Sequence, residues 1–225
     1  MFRRVEKFIG IDNLNKIKSS VVAVIGLGGV GGYAVEGLVR SGVNNIIIVD
    51  YDWVDISNLN RQLITNVNNI GDLKVDVMEK HILSINPKCK ITKLNIKLDM
   101  NNMDELFDLK FDYLIDCCDT LVVKEELIKR CLSNNIIFIS SMGTGNKFNP
   151  SMLKVMDISK TSYDPIAKKI RKYLSVNKIK GKVPVVCSIE QNDKFSGDIP
   201  SMMFVPAVSG ILCANYIVDK IIKNN

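Results

Sequence analysis

Residues 21–61 read VVAVIGLGGVGGYAVEGLVRSGVNNIIIVDYDWVDISNLNR. The run Val21–Ile25 is apolar and mostly β-branched, the composition of a strand buried on both faces. Gly26, Gly28, Gly29, Gly31 and Gly32 follow at once, and Ala34, Val35, Leu38 and Val39 then recur at helical spacing. Ile46–Val49 is a second buried strand that closes on Asp50. Strand, glycine turn, helix and strand in this order make a β-α-β unit.

The alternation continues outward from this unit. A loop at 51–72 leads to a helix over 75–85, stopped by Asn86-Pro87. Strands are predicted at 89–94, 113–115 and 136–140, with helices over 103–107 and 123–132 between them. Beyond 150 the pattern loosens. A strand is expected at 153–157, a basic helix over 165–174, a polar loop at 189–201 and a C-terminal helix over about 207–222. A short amphipathic helix over 4–18 enters the domain. The expected fold is α/β: a doubly wound, mostly parallel, Rossmann-like sheet with helices on both faces and a C-terminal extension. The chain reads as one domain, with a helical segment at 1–20, a nucleotide-binding core at 21–145 and a substrate or dimer portion at 146–225.

Composition narrows the class. The 225 residues are 47% hydrophobic and 24% charged, ordinary for a soluble globular protein. Six scattered cysteines form no C-x-x-C pair, so no zinc site is expected. The start MFRRVEKFIG has no apolar run after its arginines and does not read as a secretory signal. A reducing, cytoplasmic setting fits best. The stretch 202–218 carries no charge, but it is short for a spanning helix, which needs about 20 apolar residues. It reads as a buried or dimer-interface helix, with peripheral membrane contact as the alternative. The net charge is +6, and residues 160–182 alone hold eight basic residues and one acid, a net +7. Lys160, Lys168, Lys169, Arg171 and Lys172 are therefore the candidates to face a polyanion such as RNA.

The chemistry rests on joint placement. Gly26-x-Gly28-x-x-Gly31 lies between strand and helix, where glycines let the backbone approach phosphates and the helix N-terminus offers free N–H groups. Asp50, nineteen residues after Gly31, is placed to accept from a ribose, with Asp52 beside it. The fingerprint alone does not separate NAD, FAD and ATP. Asn58, Arg61 and Gln62 make the separation, because an enzyme that cleaves ATP must stabilise charge developing on the leaving phosphates. Lys74 adds a second cation. Asp119, just past a strand end, is placed to hold a magnesium ion or orient phosphates. Arg61, Lys74 and Asp119 are the catalytic candidates.

The series Gly26–Gly31, Asp50, Asn58, Arg61, Gln62, Lys74 and Asp119 resembles the adenylating superfamily of ubiquitin-activating, thiamine- and molybdopterin-biosynthesis enzymes. The resemblance implies that Asp50 takes the ribose, that Asn58, Arg61 and Lys74 take the phosphates, and that Asp119 serves magnesium and catalysis. It also implies that Arg4 reaches the ATP of a second subunit. A further block resembles the tRNA threonylcarbamoyladenosine dehydratase branch. It comprises Ser140-Ser141-Met142-Gly143-Thr144-Gly145-Asn146-Lys147, Asn149-Pro150, residues 157–161 (DISKT), Asp164-Pro165 and Arg171.

That branch implies ATP-dependent closure of the threonylcarbamoyl side chain on an anticodon-loop adenosine, through an acyl-adenylate. The implied cofactors are ATP and magnesium, and the implied partners are tRNA and a second copy of the chain. The rival within the superfamily is adenylation of a ubiquitin-like sulfur carrier, which the basic segment and the missing zinc pairs disfavour. An NAD-dependent oxidoreductase is more distant, and a non-catalytic nucleotide-binding module leaves the phosphate residues without a purpose. Ubiquitin-type activation uses a cysteine, and Cys187 is the best-placed candidate, with an ordinary buried cysteine as the plainer expectation. A cysteine accepting sulfur from a desulfurase partner is the weakest alternative.

Overall fold

A computed structural model describes residues 1–191, 197 and 199–224. The strands are β1 (Val21–Ile25), β2 (Asn45–Val49), β3 (Lys90–Leu94), β4 (Tyr113–Asp116), β5 (Ile137–Ser141), β6 (Leu153–Asp157) and β7 (Pro184–Ser188). The helices are α1 (Arg3–Ile9), α2 (Ile11–Ser19), α3 (Gly31–Ser41), α4 (Lys74–Ile85), α5 (Met103–Phe107), α6 (Leu121–Ser133), α7 (Pro165–Val176) and α8 (Phe204–Lys223). The strands form one sheet in the order β3-β2-β1-β4-β5-β7-β6, parallel except for β6 against β7.

Alternation along β1 explains the layers. Val22 and Val24 pack with Ile17, Leu38, Met78 and Ile217 on one face. Ala23 and Ile25 pack with Leu106, Leu127, Cys131 and Ile170 on the other. Successive strand residues point to opposite faces, so a sheet covered on both sides must be apolar throughout. The order also fixes where a ligand goes. The chain runs β1, β2, β3 one way and then returns to β4 beside β1, so a crevice opens beyond the C-terminal ends of β1 and β4.

Three expectations are corrected. The helix over 4–18 is two helices, because Gly10 takes φ 84° and turns the chain between α1 and α2. Residues 184–188, not expected as a strand, form β7 between β5 and β6; Pro184 is tolerated at a strand's first position, where a missing N–H costs least. The C-terminal helix starts earlier, at Phe204. Within the polar segment 189–201, residues 192–196 and 198 lie outside the described residues. By length and composition α8 could cross a membrane, but half of its apolar window is buried inside the fold, where Ile217 and Ile221 join the first core.

Candidate active site

At the crevice the glycine turn lies over the end of β4. Gly26 adopts φ 86°, and a Cβ there would meet the Cys117 carbonyl oxygen at 3.0 Å. A Cβ on Gly31 would sit 1.7 Å from the Gly26 carbonyl oxygen, so only glycine lets α3 start this close to β1. Gly31 thus shapes the turn from beneath, while Gly26, Gly28 and Gly29 line the cavity.

That cavity, of about 300 Å³, brings together nearly every nucleotide residue expected from sequence. Asp50, Asp52, Asn58, Arg61, Gln62, Lys74 and Asp119 all line it. Asp50 is held by its own backbone surroundings: Leu27 N donates to Oδ2 at 2.6 Å and Asp52 N to Oδ1 at 2.9 Å. Burial pushes its carboxyl above the usual carboxylate range, opposed by those two N–H groups and by Lys74. Lys74 is buried and donates to Asp52 Oδ2 at 2.8 Å. Asn58 is buried in a 3-10 turn, where its Oδ1 accepts from Asp55 N at 3.2 Å.

Two side chains have donors or acceptors to spare. Arg61 Nη1 donates to Ser57 O at 2.7 Å and Asn60 Oδ1 at 2.9 Å, which fixes the guanidinium. Its Nε and Nη2 have no hydrogen-bond partner among the described residues. Gln62 is buried, and its Oε1 is without a hydrogen-bond partner. An orphaned buried acceptor costs about 1–3 kcal/mol, so its place in a polar cavity fits a ligand that supplies the donor. Asp119 is exposed at the rim, and among the described residues its side chain's one hydrogen bond is from the Thr120 hydroxyl at 3.3 Å. A single open carboxylate beside a phosphate cradle fits magnesium, which keeps its waters and uses one or two carboxylates together with substrate phosphates.

The sequence reading missed the rest of the wall. Tyr51 and the stretch 96–98 after β3, together with Thr120 and Thr144, also line the cavity. Their signal was positional: each follows a strand's C-terminal end, where an open α/β sheet binds its ligand.

Other expected residues fall elsewhere. Arg4 lies outside the cavity, in a separate hollow with Phe2, Arg40 and His81. Lys160, Lys168, Lys169 and Lys172 are exposed. Arg171 is half-buried, and its Nη1 donates to the Thr161 carbonyl at 3.1 Å and to the Thr161 hydroxyl, tying α7 to the turn before it. Cys187 is 1% exposed in the second core, and burial pushes its thiol up to about 12. A thiol so placed is a poor nucleophile. Burial and the neighbouring Asp116 charge also raise the Cys118 thiol, which does not suit it to accept sulfur. A Cys187→Ala variant is expected to keep turnover within about twofold of the parent; a drop beyond tenfold in a folded variant would give the thiol a covalent role.

The chain as a whole is similar to known proteins. The ThiF family profile matches residues 2–224. The chain is 39% identical over 241 residues to a Bacillus subtilis protein named tRNA threonylcarbamoyladenosine dehydratase, spanning 99% of this chain and 95% of the relative. A Haemophilus influenzae protein of the same name is 28% identical over 233 residues, spanning 94% of this chain and 89% of its own. The crystal structure of the E. coli tRNA N6-threonylcarbamoyladenosine dehydratase in complex with ATP superposes with a TM-score of 0.92 at 30% identity, covering 98% of this chain and 93% of that one.

Proposed function

The chain belongs to the ThiF family, and from that premise we propose that it is an ATP-dependent tRNA threonylcarbamoyladenosine dehydratase. One observation carries the reading. A single cavity gathers the glycine turn, Asp50, Asn58, Lys74 and Asp119 around an immobilised guanidinium and an unsatisfied Gln62 acceptor.

In this reading ATP lies with its phosphates over Gly26, Gly28 and Gly29 and its ribose against Asp50. The threonyl carboxylate of the modified adenosine attacks the α-phosphorus, and pyrophosphate leaves. Arg61 and Lys74 stabilise the charge that develops on the departing phosphates; Arg61 is held in place beforehand, so little reorganisation is needed. Magnesium, when bound, supplies further charge neutralisation at the phosphates, with Asp119 as the carboxylate to hold it. The carbamoyl nitrogen then attacks the activated carbonyl within the same side chain and AMP departs, a net loss of water. This closure is intramolecular, so it needs no protein nucleophile. The burial of Cys187 agrees with that.

The exposed lysines of α7 and Lys160 would meet tRNA phosphates, and the reaction would take place in the cytoplasm. A homodimer is part of the proposal. Arg4 stands away from its own cavity, as expected of a residue that serves the partner's ATP.

The test is direct. The protein is incubated with ATP, magnesium and tRNA bearing threonylcarbamoyladenosine, the tRNA is digested, and the nucleosides are weighed. Loss of one water from the modified nucleoside is the expected result. If AMP forms only when a ubiquitin-like protein is added, the chain activates a sulfur carrier and the assignment is wrong.

A further inference from the structure

We propose that Tyr163 and Phe148 form a stacking platform for unpaired bases of the RNA loop that carries the substrate; the inference rests on the tRNA-directed reading above. Tyr163 is 59% exposed and Phe148 is 71% exposed. Neither side chain makes a hydrogen bond or ring contact within the described residues.

Tyr163 is also held at a cost. Its φ is +60°, in the left-handed region. Among the described residues the other non-glycine positions with positive φ are Lys110, Asn135, Asn146 and Lys178, two of them asparagines, which tolerate that region. A bulky aromatic residue there is strained, and strain persists where the surroundings over-determine it. The surroundings are the next residue. Asp164 is buried; its Oδ1 accepts from Ala167 N at 2.7 Å, capping α7, and its Oδ2 accepts from Gly143 N at 3.0 Å. That clamp fixes Tyr163 against the turn after β5 and aims its ring outward.

Phe148 closes the same turn. Its backbone N–H donates to the Glu190 carboxylate at 3.1 Å, as does that of Asn149 at 3.0 Å, and the Lys147 ammonium donates to the Glu190 carbonyl. The turn runs through Thr144, which lines the nucleotide cavity. Two open aromatic side chains thus stand on backbone anchored to this turn, Tyr163 through Asp164 at Gly143 and Phe148 through its own N–H at Glu190.

Charge chooses the occupant. Lys160 precedes Tyr163, and Lys168 and Lys169 follow it on α7, all exposed. The only acid of the segment 160–182 is Asp164, which is buried and fully engaged. Aromatic faces set among cations match single-stranded RNA, whose splayed bases stack on rings while the phosphates meet lysines.

The test uses the full chain, ATP, magnesium and tRNA bearing threonylcarbamoyladenosine. Tyr163→Gly and Phe148→Ala are each expected to raise KM for tRNA about tenfold, the order expected for one lost base–aromatic stack. The rate at saturating tRNA and KM for ATP stay at parental values. Tyr163→Trp restores the tRNA KM. The melting temperature of Tyr163→Gly is equal to or above the parent's, because glycine relieves the left-handed φ; a purely structural tyrosine would lower it. The slope of log KM against log salt is unchanged in Tyr163→Gly and becomes shallower in Lys168→Gln, separating stacking from phosphate contact. If the parent chain turns over no tRNA, the function proposed above fails. If the parent turns over tRNA and both aromatic variants keep its KM, the platform is refuted. Intact tRNA kinetics with lost sedimentation on anionic vesicles would make the face a lipid contact and equally overturn it.

Discussion

Arg61→Ala is expected to lower the rate of pyrophosphate release about 100- to 1,000-fold, the loss seen when a preorganised donor to a developing anion is removed. The geometry sets the size. Nη1 spends its hydrogen bonds on Ser57 O and Asn60 Oδ1, so the fork is oriented before ATP arrives. In the proposed reaction the Nε and Nη2 edge would meet the phosphates. Because the contribution is made mainly to charge that grows during the reaction, the fall should appear in kcat more than in KM for ATP. The fold should be indifferent: the side chain sits on a surface loop, and a surface change of this kind shifts stability by about 0.5 kcal/mol or less. Arg61→Lys keeps a charge without the fork, and is expected to recover only part of the rate. Stopped-flow detection of pyrophosphate, paired with thermal melts, decides the matter. A folded Arg61→Ala protein with the parental rate would take Arg61 out of the mechanism.

How much of this was legible in the sequence depends on what kind of signal each residue leaves. The glycine turn and the β-α-β unit were legible because backbone geometry demands particular residues there: nothing larger than glycine fits at Gly31, and a strand covered on both faces must read like Val21–Ile25. That Asn58, Arg61, Gln62, Lys74 and Asp119 share one cavity was legible from their series at characteristic spacing. Strand β7 was not, since Lys182, Pro184 and the polar segment that follows mask a short apolar run whose role is set by tertiary pairing to β5. The break at Gly10 was hidden inside an amphipathic pattern that continues on both sides of it. Arg171 looked like one more cation of a basic helix, and only the fold shows it turned back onto Thr161. The least legible residue was Lys124. Within KEELIKR it reads as part of a solvated helix face, yet it is among the most deeply buried side chains of the molecule.

Lys124→Met is therefore expected to cost about 3–5 kcal/mol of stability, the penalty for stripping a buried carboxylate of its counter-charge. Lys124 Nζ donates to Asp116 Oδ2 at 2.9 Å, to Ser141 O at 2.8 Å and to Ser140 Oγ at 3.4 Å, which satisfies all three of its donors. Asp116 is equally engaged: Ser140 Oγ donates to Oδ2 at 2.5 Å, and Cys118 N donates to Oδ1 at 3.1 Å. The pair thus ties α6 to the ends of β4 and β5 beneath the cavity, and holds the turn that carries Asp119. Burial alone would lower the lysine's pKa, but the Asp116 charge more than offsets it, so the ammonium stands above its ordinary value. A raised basic group contributes stability that is whole below its unfolded pKa, about 10.4, and is lost as pH rises through the folded value. The contribution of the Lys124 ammonium should hence be undiminished at neutral pH and fade only in strong alkali. Asp116→Leu combined with Lys124→Met removes both charges, and should recover at least half of the loss, since a buried pair replaced by apolar groups is often nearly neutral. Urea unfolding of the parent, the two single variants and the double variant measures the coupling. Additive losses would mean that the two charges do not depend on each other. Recovered stability without recovered turnover would show that the pair is retained for the placement of Asp119 rather than for the strength of the fold.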